Sequence, residues 1–133
     1  MSKNSESKIY QIVREDLKKH DYQLISEDRV GSGRIDVLAQ KGNYVFAIEI
    51  KNRPLETFDI IRSSTIPMSL KEHPDFKMRN IMSVVTTSSE ITEEAKDLGK
   101  RTGVIVTQPL NLADAIELVL KNSKGRVKAR RKA

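Results

Sequence analysis

Two carboxylates and a lysine have a spacing that suits metal-assisted chemistry. Glu49 follows Asp36 after twelve intervening residues, and Lys51 stands two residues beyond Glu49. Carboxylate oxygens are hard ligands of the kind that Mg²⁺ and Mn²⁺ prefer. A lysine ammonium beside them can orient an attacking water and counter developing negative charge. The three side chains can act together only if the fold brings them to one place.

A predicted β-hairpin brings them together. Arg34–Gln40 and Tyr44–Ile50 are rich in β-branched and aromatic residues, which favour strands. Between them, Gly42-Asn43 suits a type II′ turn, because glycine takes the positive φ that the first position requires. With that turn, Asp36 lies directly opposite Glu49 on the neighbouring strand.

The two-residue period of a strand divides the side chains of this hairpin between two faces. One face is almost entirely apolar and is predicted to face the core; it comprises Ile35, Val37, Ala39, Tyr44, Phe46, Ile48 and Ile50. The other face carries Asp36, Glu49 and Lys51 among Leu38, Val45 and Ala47. Two like charges on this surface repel each other, and a divalent cation between them would remove the conflict. A register shift of one residue would destroy the site.

This motif resembles that of the PD-(D/E)xK nuclease superfamily. Asp36 and Glu49-Ile50-Lys51 match the core motif, although Ile35 stands where the strict pattern has proline. The preceding Gly-Ser-Gly-Arg-Ile resembles the flank found in archaeal-type Holliday-junction resolvases and in the nuclease domain of type IV restriction enzymes. The resemblance implies that Asp36, Glu49 and the Ile50 backbone carbonyl bind Mg²⁺ or Mn²⁺, with Lys51 as a catalytic residue.

The resemblance also implies an acidic residue near the metal from the first helix. Apolar residues at helical spacing predict that helix over Ser5–Lys19. Glu6 is the best match for a catalytic acid, because it lies on the inward side, about 60° from Ile9 on a helical wheel. Glu15 points away, and Asp16 points inward but near the helix end. Alternatively, Glu6 only favours the positive end of the helix dipole.

Candidate DNA contacts come from a loop and from the end of the sequence. By resemblance to the resolvases, Arg29, Ser32 and Arg34 in and beside the glycine-rich loop can contact phosphate; the alternative is a solvated loop. Residues 121–133, KNSKGRVKARRKA, contain seven of the 24 Lys and Arg residues and no acid. The predicted contacts in this tail are Lys124, Arg126, Lys128, Arg130 and Arg131.

The charge and length predict one domain followed by that tail. Outside the tail, 17 basic residues stand against 18 acidic ones, so the net charge of +6 belongs to residues 121–133. We expect a single nuclease-like domain over 1–120 and a disordered, nucleic-acid-contacting tail over 121–133. A solubilising tail is the alternative. The sequence has no cysteine, no signal-peptide pattern and no apolar run near twenty residues, which predicts an intracellular protein without a membrane span.

The remaining patterns predict strands alternating with helices. Further strands are predicted at Tyr22–Glu27, Arg79–Thr86 and Gly103–Thr107. Apolar Phe58, Ile61, Ile66 and Leu70 predict a helix over Glu56–Glu72, kinked or divided at Pro67. A capping-box pattern of Thr87 with Glu90 starts another helix ending near Lys100, and a last one covers Leu112 to about Lys121.

This order of elements predicts an α/β fold in which a mixed central sheet is flanked by helices. It is compatible with a restriction-endonuclease-like fold, an αβββαβ core followed by a C-terminal αβα. The run VVTTSSEITEEAKDLGKRTGVIV resembles the strand–helix–strand that follows the catalytic core in type IV nuclease domains, although a generic βαβ unit accounts for it equally.

The leading hypothesis is therefore a Mg²⁺-dependent DNA endonuclease selective for branched or junction DNA. Symmetrical nicking of a junction needs two sites and so predicts a homodimer, and the small domain with its basic tail favours this substrate over that of a restriction enzyme. A second hypothesis is a noncatalytic nucleic-acid-binding or complex-assembly protein that retains the fold. A third is an interaction domain in which the motif is coincidental.

Overall fold

A computed structural model describes the backbone of residues 2–25 and 35–132 and the side chains of residues 7–25 and 35–122. The helices are α1 Ser2–Lys19, α2 Thr57–Ser64, α3 Ile66–Leu70, α4 Glu93–Thr102 and α5 Leu112–Lys132. The strands are β1 Gln23–Ile25, β2 Val37–Lys41, β3 Tyr44–Lys51, β4 Asn80–Thr87 and β5 Ile105–Thr107. Short 3₁₀ turns occur at Pro74–Phe76 and Pro109–Asn111. The predicted order is confirmed. The helix predicted over Glu56–Glu72 is divided into α2 and α3, and the break lies at Thr65 rather than at Pro67.

The five strands form one sheet in the order β1-β2-β3-β4-β5. β1, β2 and β3 pair antiparallel, whereas β3, β4 and β5 pair parallel. The parallel pairs require crossover connections, which α2, α3 and α4 provide. The protein is thus an α/β fold with a mixed sheet flanked by helices, as the sequence predicts.

The β2–β3 hairpin has the predicted register. Lys41 pairs with Tyr44 and Val37 pairs with Ile48, while Gly42 takes a φ of 60° as the turn requires. The strand itself is shorter than predicted, because β2 begins at Val37 and Asp36 lies in a bend before it. The alternation of faces therefore stops short of Ile35. The prediction that Ile35 shares a face with Val37 is wrong.

Each face of the sheet carries its own core. On one face, α1 and α5 cover a cluster built around Leu17, Phe46, Ile48, Val84 and Ile116. On the other, α2, α3 and α4 cover two clusters, one containing Ile35, Leu38, Val45, Ala47 and Leu70 and one containing Ile60, Val85, Ala95 and Val104. Because both faces are covered, the central strand β3 is buried from Val45 to Ile50.

α2 is oriented differently from what its apolar residues suggest. Phe58 and Ile61 are exposed, and the buried residues of this helix are Asp59, Ile60 and Ser63. Two of these three are polar, so the buried side does not follow hydrophobicity alone. As a result, α2 presents a carboxylate to the interior close to the end of β3.

The predicted start of α4 is also wrong. Thr92 is its N-cap and accepts a hydrogen bond from the Ala95 N–H at 3.1 Å. The Thr87 side chain instead donates to the Arg53 carbonyl at 2.7 Å and accepts from the Ser89 N–H. Thr87 therefore ties the end of β4 to the segment after β3, and cannot cap a helix.

α5 continues beyond the predicted end near Lys121, with helical backbone to Lys132. The division into a domain and a basic tail with its own DNA contacts stays a prediction. No helix among the described residues is both long and apolar enough to cross a membrane.

Candidate active site

Asp36 occupies the place where the β2–β3 ladder ends. The last paired residue of β2 is Val37, and the Asp36 Oδ2 atom accepts a hydrogen bond from the Ile50 N–H at 2.8 Å. The side chain thus continues the edge of the strand in place of a backbone carbonyl. In an antiparallel pair, the N–H and C=O of one residue point toward the same neighbouring strand, so the Ile50 carbonyl lies on the side of Asp36.

Glu49 is a buried carboxylate, 4% exposed, on the face covered by α2 and α3. Burial raises its pKa above the ordinary value, and the negative charges of Asp36 and Asp59 act in the same direction. The positive charges of Lys51 and Arg62 oppose the rise. Its carboxylate accepts no hydrogen bond from any other described residue, so it is poorly compensated for its burial.

Lys51 belongs to the same group of charges. Its Nζ atom lies 4.0 Å from the Glu49 Oε2 atom, and its side chain is 24% exposed. The contact is long for an ion pair, and the ammonium keeps access to solvent. Asp36, Glu49 and Lys51 therefore come together at one end of the sheet.

Arg53 and Asp59 form a second ion pair that the sequence does not reveal. Both terminal nitrogens of Arg53 donate to the Asp59 carboxylate at 2.8 Å, and the Glu56 N–H donates to it at 2.8 Å. Burial tends to raise the pKa of Asp59, but these hydrogen bonds and the charges of Arg53 and Lys51 outweigh it, so the pKa is lowered. The pair fixes the segment between β3 and α2.

Arg62 on α2 is a further cation near Glu49. Both residues line a cavity of about 130 Å³ together with Ile35, Thr65, Ile66, Ser69 and Leu70. Its side chain makes no hydrogen bond or ion pair within the described part of the chain. The apolar residues of α2 predict the wrong buried side of this helix, so the sequence pattern did not place Arg62 near Glu49.

The acidic residues of α1 differ in position. α1 is followed by a short turn and β1, so it runs opposite to β1 and β3, and its N-terminal half lies toward the end where β3 finishes. Glu6 lies in that half, outside the described side chains, and its role stays a prediction. Glu15 is exposed, while Asp16 accepts a hydrogen bond from the Ala113 N–H at 2.9 Å and is thus engaged in packing α1 on α5.

The predicted DNA contacts lie outside the described side chains. This holds for Arg29, Ser32 and Arg34 in the loop and for the tail residues Lys124, Arg126, Lys128, Arg130 and Arg131. Where side chains are described, no group of three His, Cys, Asp or Glu residues could hold a metal ion. Asp36 and Glu49 are the two acidic residues of the predicted motif that the structure brings to this end of the sheet.

No protein-family model and no characterised protein sequence matches the chain. Two solved structures are similar. The crystal structure of AF1548, a protein of unknown function, has 17% identity and a TM-score of 0.52, and the match covers 75% of this chain and 57% of that one. The apo structure of EndoMS has 16% identity and a TM-score of 0.47, with 65% and 34% covered.

The chain thus spans less than two thirds of the length of either protein. At this identity, the similarity to AF1548 establishes a shared fold alone. The similarity to EndoMS, with a TM-score below 0.5, is too weak to support an inference.

Proposed function

We propose that the protein is a metal-dependent DNA endonuclease that hydrolyses phosphodiester bonds and selects branched or junction DNA. The observation that supports this function best is the meeting of Asp36, Glu49 and Lys51 at one end of the sheet. The predicted hairpin register is observed from Val37–Ile48 to Lys41–Tyr44, and Asp36 is held just beyond the last pair by its hydrogen bond from the Ile50 N–H. The match of these residues to the PD-(D/E)xK motif gives the reaction class.

The donor set fits Mg²⁺ or Mn²⁺. Asp36, Glu49 and the Ile50 carbonyl are hard oxygen donors, and Glu6 is the candidate for a further acid from α1. When bound, such a cation lowers the pKa of a coordinated water and polarises the phosphate. The poorly compensated burial of Glu49 is consistent with a carboxylate that is matched to a cation.

The residues of the chain have distinct roles in this proposal. The Ile50 N–H holds one oxygen of Asp36, which fixes the carboxylate and leaves the other oxygen for a ligand. Lys51, whose Nζ lies 4.0 Å from Glu49 on a side chain that is 24% exposed, is placed to orient the attacking water and to counter charge on the phosphoryl oxygens. The Arg53–Asp59 pair holds the backbone that follows Lys51.

DNA binding is assigned to the tail cations, because residues 1–120 are nearly neutral as a whole, and to the loop cations by the resemblance to the resolvases. Such contacts are made to phosphates and give affinity that falls steeply with salt. The preference for junctions follows the resemblance to resolvases, and paired nicks at a junction call for a homodimer.

A noncatalytic protein with the same fold is the second candidate. The site itself argues against it, because two carboxylates that repel each other, one of them buried, destabilise a protein that binds no cation there. Loss of either acid would then be favourable.

Cleavage assays with purified protein test the proposal. Labelled four-way junction, flap, duplex and single-stranded DNA are incubated with Mg²⁺, Mn²⁺ or EDTA, beside the Glu49→Ala variant. We expect metal-dependent cutting of branched DNA that this variant loses. Lys51→Ala should abolish cleavage with little loss of DNA binding, and Asp36→Ala should lose both metal binding and cleavage.

Matched controls are Glu94→Ala and Lys100→Ala, two exposed residues on α4 that should behave as wild type. Retained metal-dependent cleavage in both Asp36→Ala and Lys51→Ala would refute the mechanism. DNA binding without cutting of any substrate would favour the noncatalytic alternative.

A further inference from the structure

The two arginines near the site differ in what they are bound to. Arg53 is fully engaged, because its fork is bidentate to the buried Asp59 carboxylate. Arg62 has no such partner among the described residues, although it is close enough to Glu49 for their charges to interact. A structural explanation therefore accounts for Arg53 and leaves Arg62 unexplained.

Packing does not explain Arg62 either. Arg62 is exposed. The turn at the end of α2 involves only the backbone of Arg62, whose carbonyl accepts hydrogen bonds from the Thr65 N–H and hydroxyl. The side chain lines the cavity next to Glu49, which at about 130 Å³ is large enough to hold water. A guanidinium that has no hydrogen-bond or ion-pair partner among the described side chains thus lies beside a cavity at the site.

Phosphate is the ligand chemistry that this arrangement suits. A guanidinium offers a planar fork that matches two phosphate oxygens, and the bonds are charge-assisted. A cation between Asp36 and Glu49 would neutralise Glu49 and so remove the attraction between Glu49 and Arg62. The arginine would then be free to bind an anion close to the cleavage position.

We propose that Arg62 forms, beside Glu49, a phosphate-binding subsite for the DNA strand that is cut. This inference rests on the proposed nuclease function and adds to it a residue that holds the substrate. Arg62 is in this role a substrate-binding residue rather than a metal ligand. Thr65 and Ser69 are the uncharged polar residues that line the cavity.

The test compares Arg62→Ala and Arg62→Lys with wild type and with Arg101→Ala, an exposed arginine on α4. Binding of labelled four-way junction is measured from low to moderate salt, together with cleavage kinetics and Mn²⁺ affinity at pH 8. For Arg62→Ala, we expect junction binding to weaken about 10- to 100-fold, the range for losing a hydrogen bond to a charged group. The slope of log affinity against log salt should fall by about one.

Mn²⁺ affinity separates substrate binding from an indirect effect through Glu49. We expect the Mn²⁺ affinity of Arg62→Ala to be at least that of wild type. The positive charge of Arg62 repels a bound cation, and its removal takes that repulsion away. Arg62→Lys should be intermediate, since lysine keeps the charge and loses the fork. Circular dichroism and thermal unfolding confirm that each variant is folded.

The outcomes are distinguishable. If wild type cleaves and Arg62→Ala binds DNA with unchanged affinity and salt slope, the subsite is wrong and the nuclease stands. If Arg62→Ala loses Mn²⁺ affinity, Arg62 acts by holding Glu49, and the subsite is again wrong. If wild type neither binds Mn²⁺ nor cuts any DNA, the proposed function fails and the subsite with it.

Discussion

Replacing Arg53 with methionine should destabilise the protein more than replacing its partner Asp59. Arg53→Met keeps the aliphatic part of the side chain and removes the fork that donates twice to Asp59. Asp59 is 1% exposed, whereas the Arg53 side chain is 41% exposed. The change therefore leaves a carboxylate that is buried and nearly unpaired.

The asymmetry of burial sets the magnitude. Removing one partner of a fully buried ion pair costs about 3–5 kcal/mol. Arg53 is partly solvated, and the hydrogen bond from the Glu56 N–H to Asp59 remains. For Arg53→Met we therefore expect the free energy of unfolding to fall by about 2–3 kcal/mol, which lowers Tm by roughly 10 °C for a chain of this size. Asp59→Asn should cost only about 1 kcal/mol, since Arg53 can turn to solvent and the amide oxygen can accept one bond.

The double variant gives the sharpest comparison. Arg53→Met combined with Asp59→Asn removes the buried charge, so it should be more stable than Arg53→Met alone. Equilibrium urea unfolding at pH 7.5 measures all three, with Arg101→Met as the exposed control. If the double variant is as unstable as the sum of the single ones, the buried carboxylate is not the source of the loss.

The effect should also depend on pH with a defined sign. In the wild type, Asp59 has a lowered pKa, so its contribution is present above its ordinary pKa of 3.8 and is lost as pH falls through the lower folded value. In Arg53→Met, burial is opposed by fewer favourable contacts, so the pKa of Asp59 rises. A protonated Asp59 needs no cation. The difference in the free energy of unfolding between wild type and Arg53→Met should therefore become smaller as the pH is lowered from 7.5 to 5.

Two further predictions concern α4. Gly99→Ala places a Cβ 2.7 Å from the Val104 carbonyl oxygen, so the overpacking should outweigh the gain in helix propensity and cost about 1–2 kcal/mol in urea unfolding; unchanged stability would show that the contact relaxes freely. Thr92→Ala removes the N-cap that accepts from the Ala95 N–H and should cost about 1 kcal/mol. Glu90→Ala, outside the helix, should stay within about 0.5 kcal/mol of wild type. A larger loss of stability in Glu90→Ala than in Thr92→Ala would instead support the capping box that the sequence predicts.

The hairpin was predictable because its determinants are local. A two-residue turn with glycine at the positive-φ position fixes the register, and the period of two then places Glu49 and the paired residues of β2. Asp36 lies in the bend one residue before the first pair, not in a pair with Glu49. The error at Ile35 arose where the local rule ends, since Asp36 accepts a hydrogen bond from the Ile50 N–H through its side chain and the chain bends there. Local pattern thus gave the two carboxylates and missed the geometry that orients one of them.

The surroundings of the hairpin depend on long-range packing, which no spacing in one segment contains. Thr87 and Glu90 match a capping box, but the Thr87 hydroxyl bonds to the Arg53 carbonyl across 34 positions. Likewise, Phe58 and Ile61 suggest the inward side of α2, whereas Asp59 is buried because Arg53 pairs with it. Arg62 as a second cation near Glu49, and the Arg53–Asp59 pair, therefore became visible only with the fold.

The two buried carboxylates at this end of the sheet are bonded in opposite ways, and the contrast bears on function. Asp59 receives three hydrogen bonds at 2.8 Å, which is what a buried charge requires for stability. Glu49 is also buried, but among the described residues it has a lysine at 4.0 Å, a nearby arginine that is not bonded to it, and no hydrogen-bond donor. The incomplete bonding of Glu49 is what the proposed cation site predicts, because a bound cation would compensate the buried charge that the described residues leave without hydrogen bonds. In the proposed site, a cation would bind to the Glu49 and Asp36 carboxylates, and a phosphate would bind to the Lys51 and Arg62 cations.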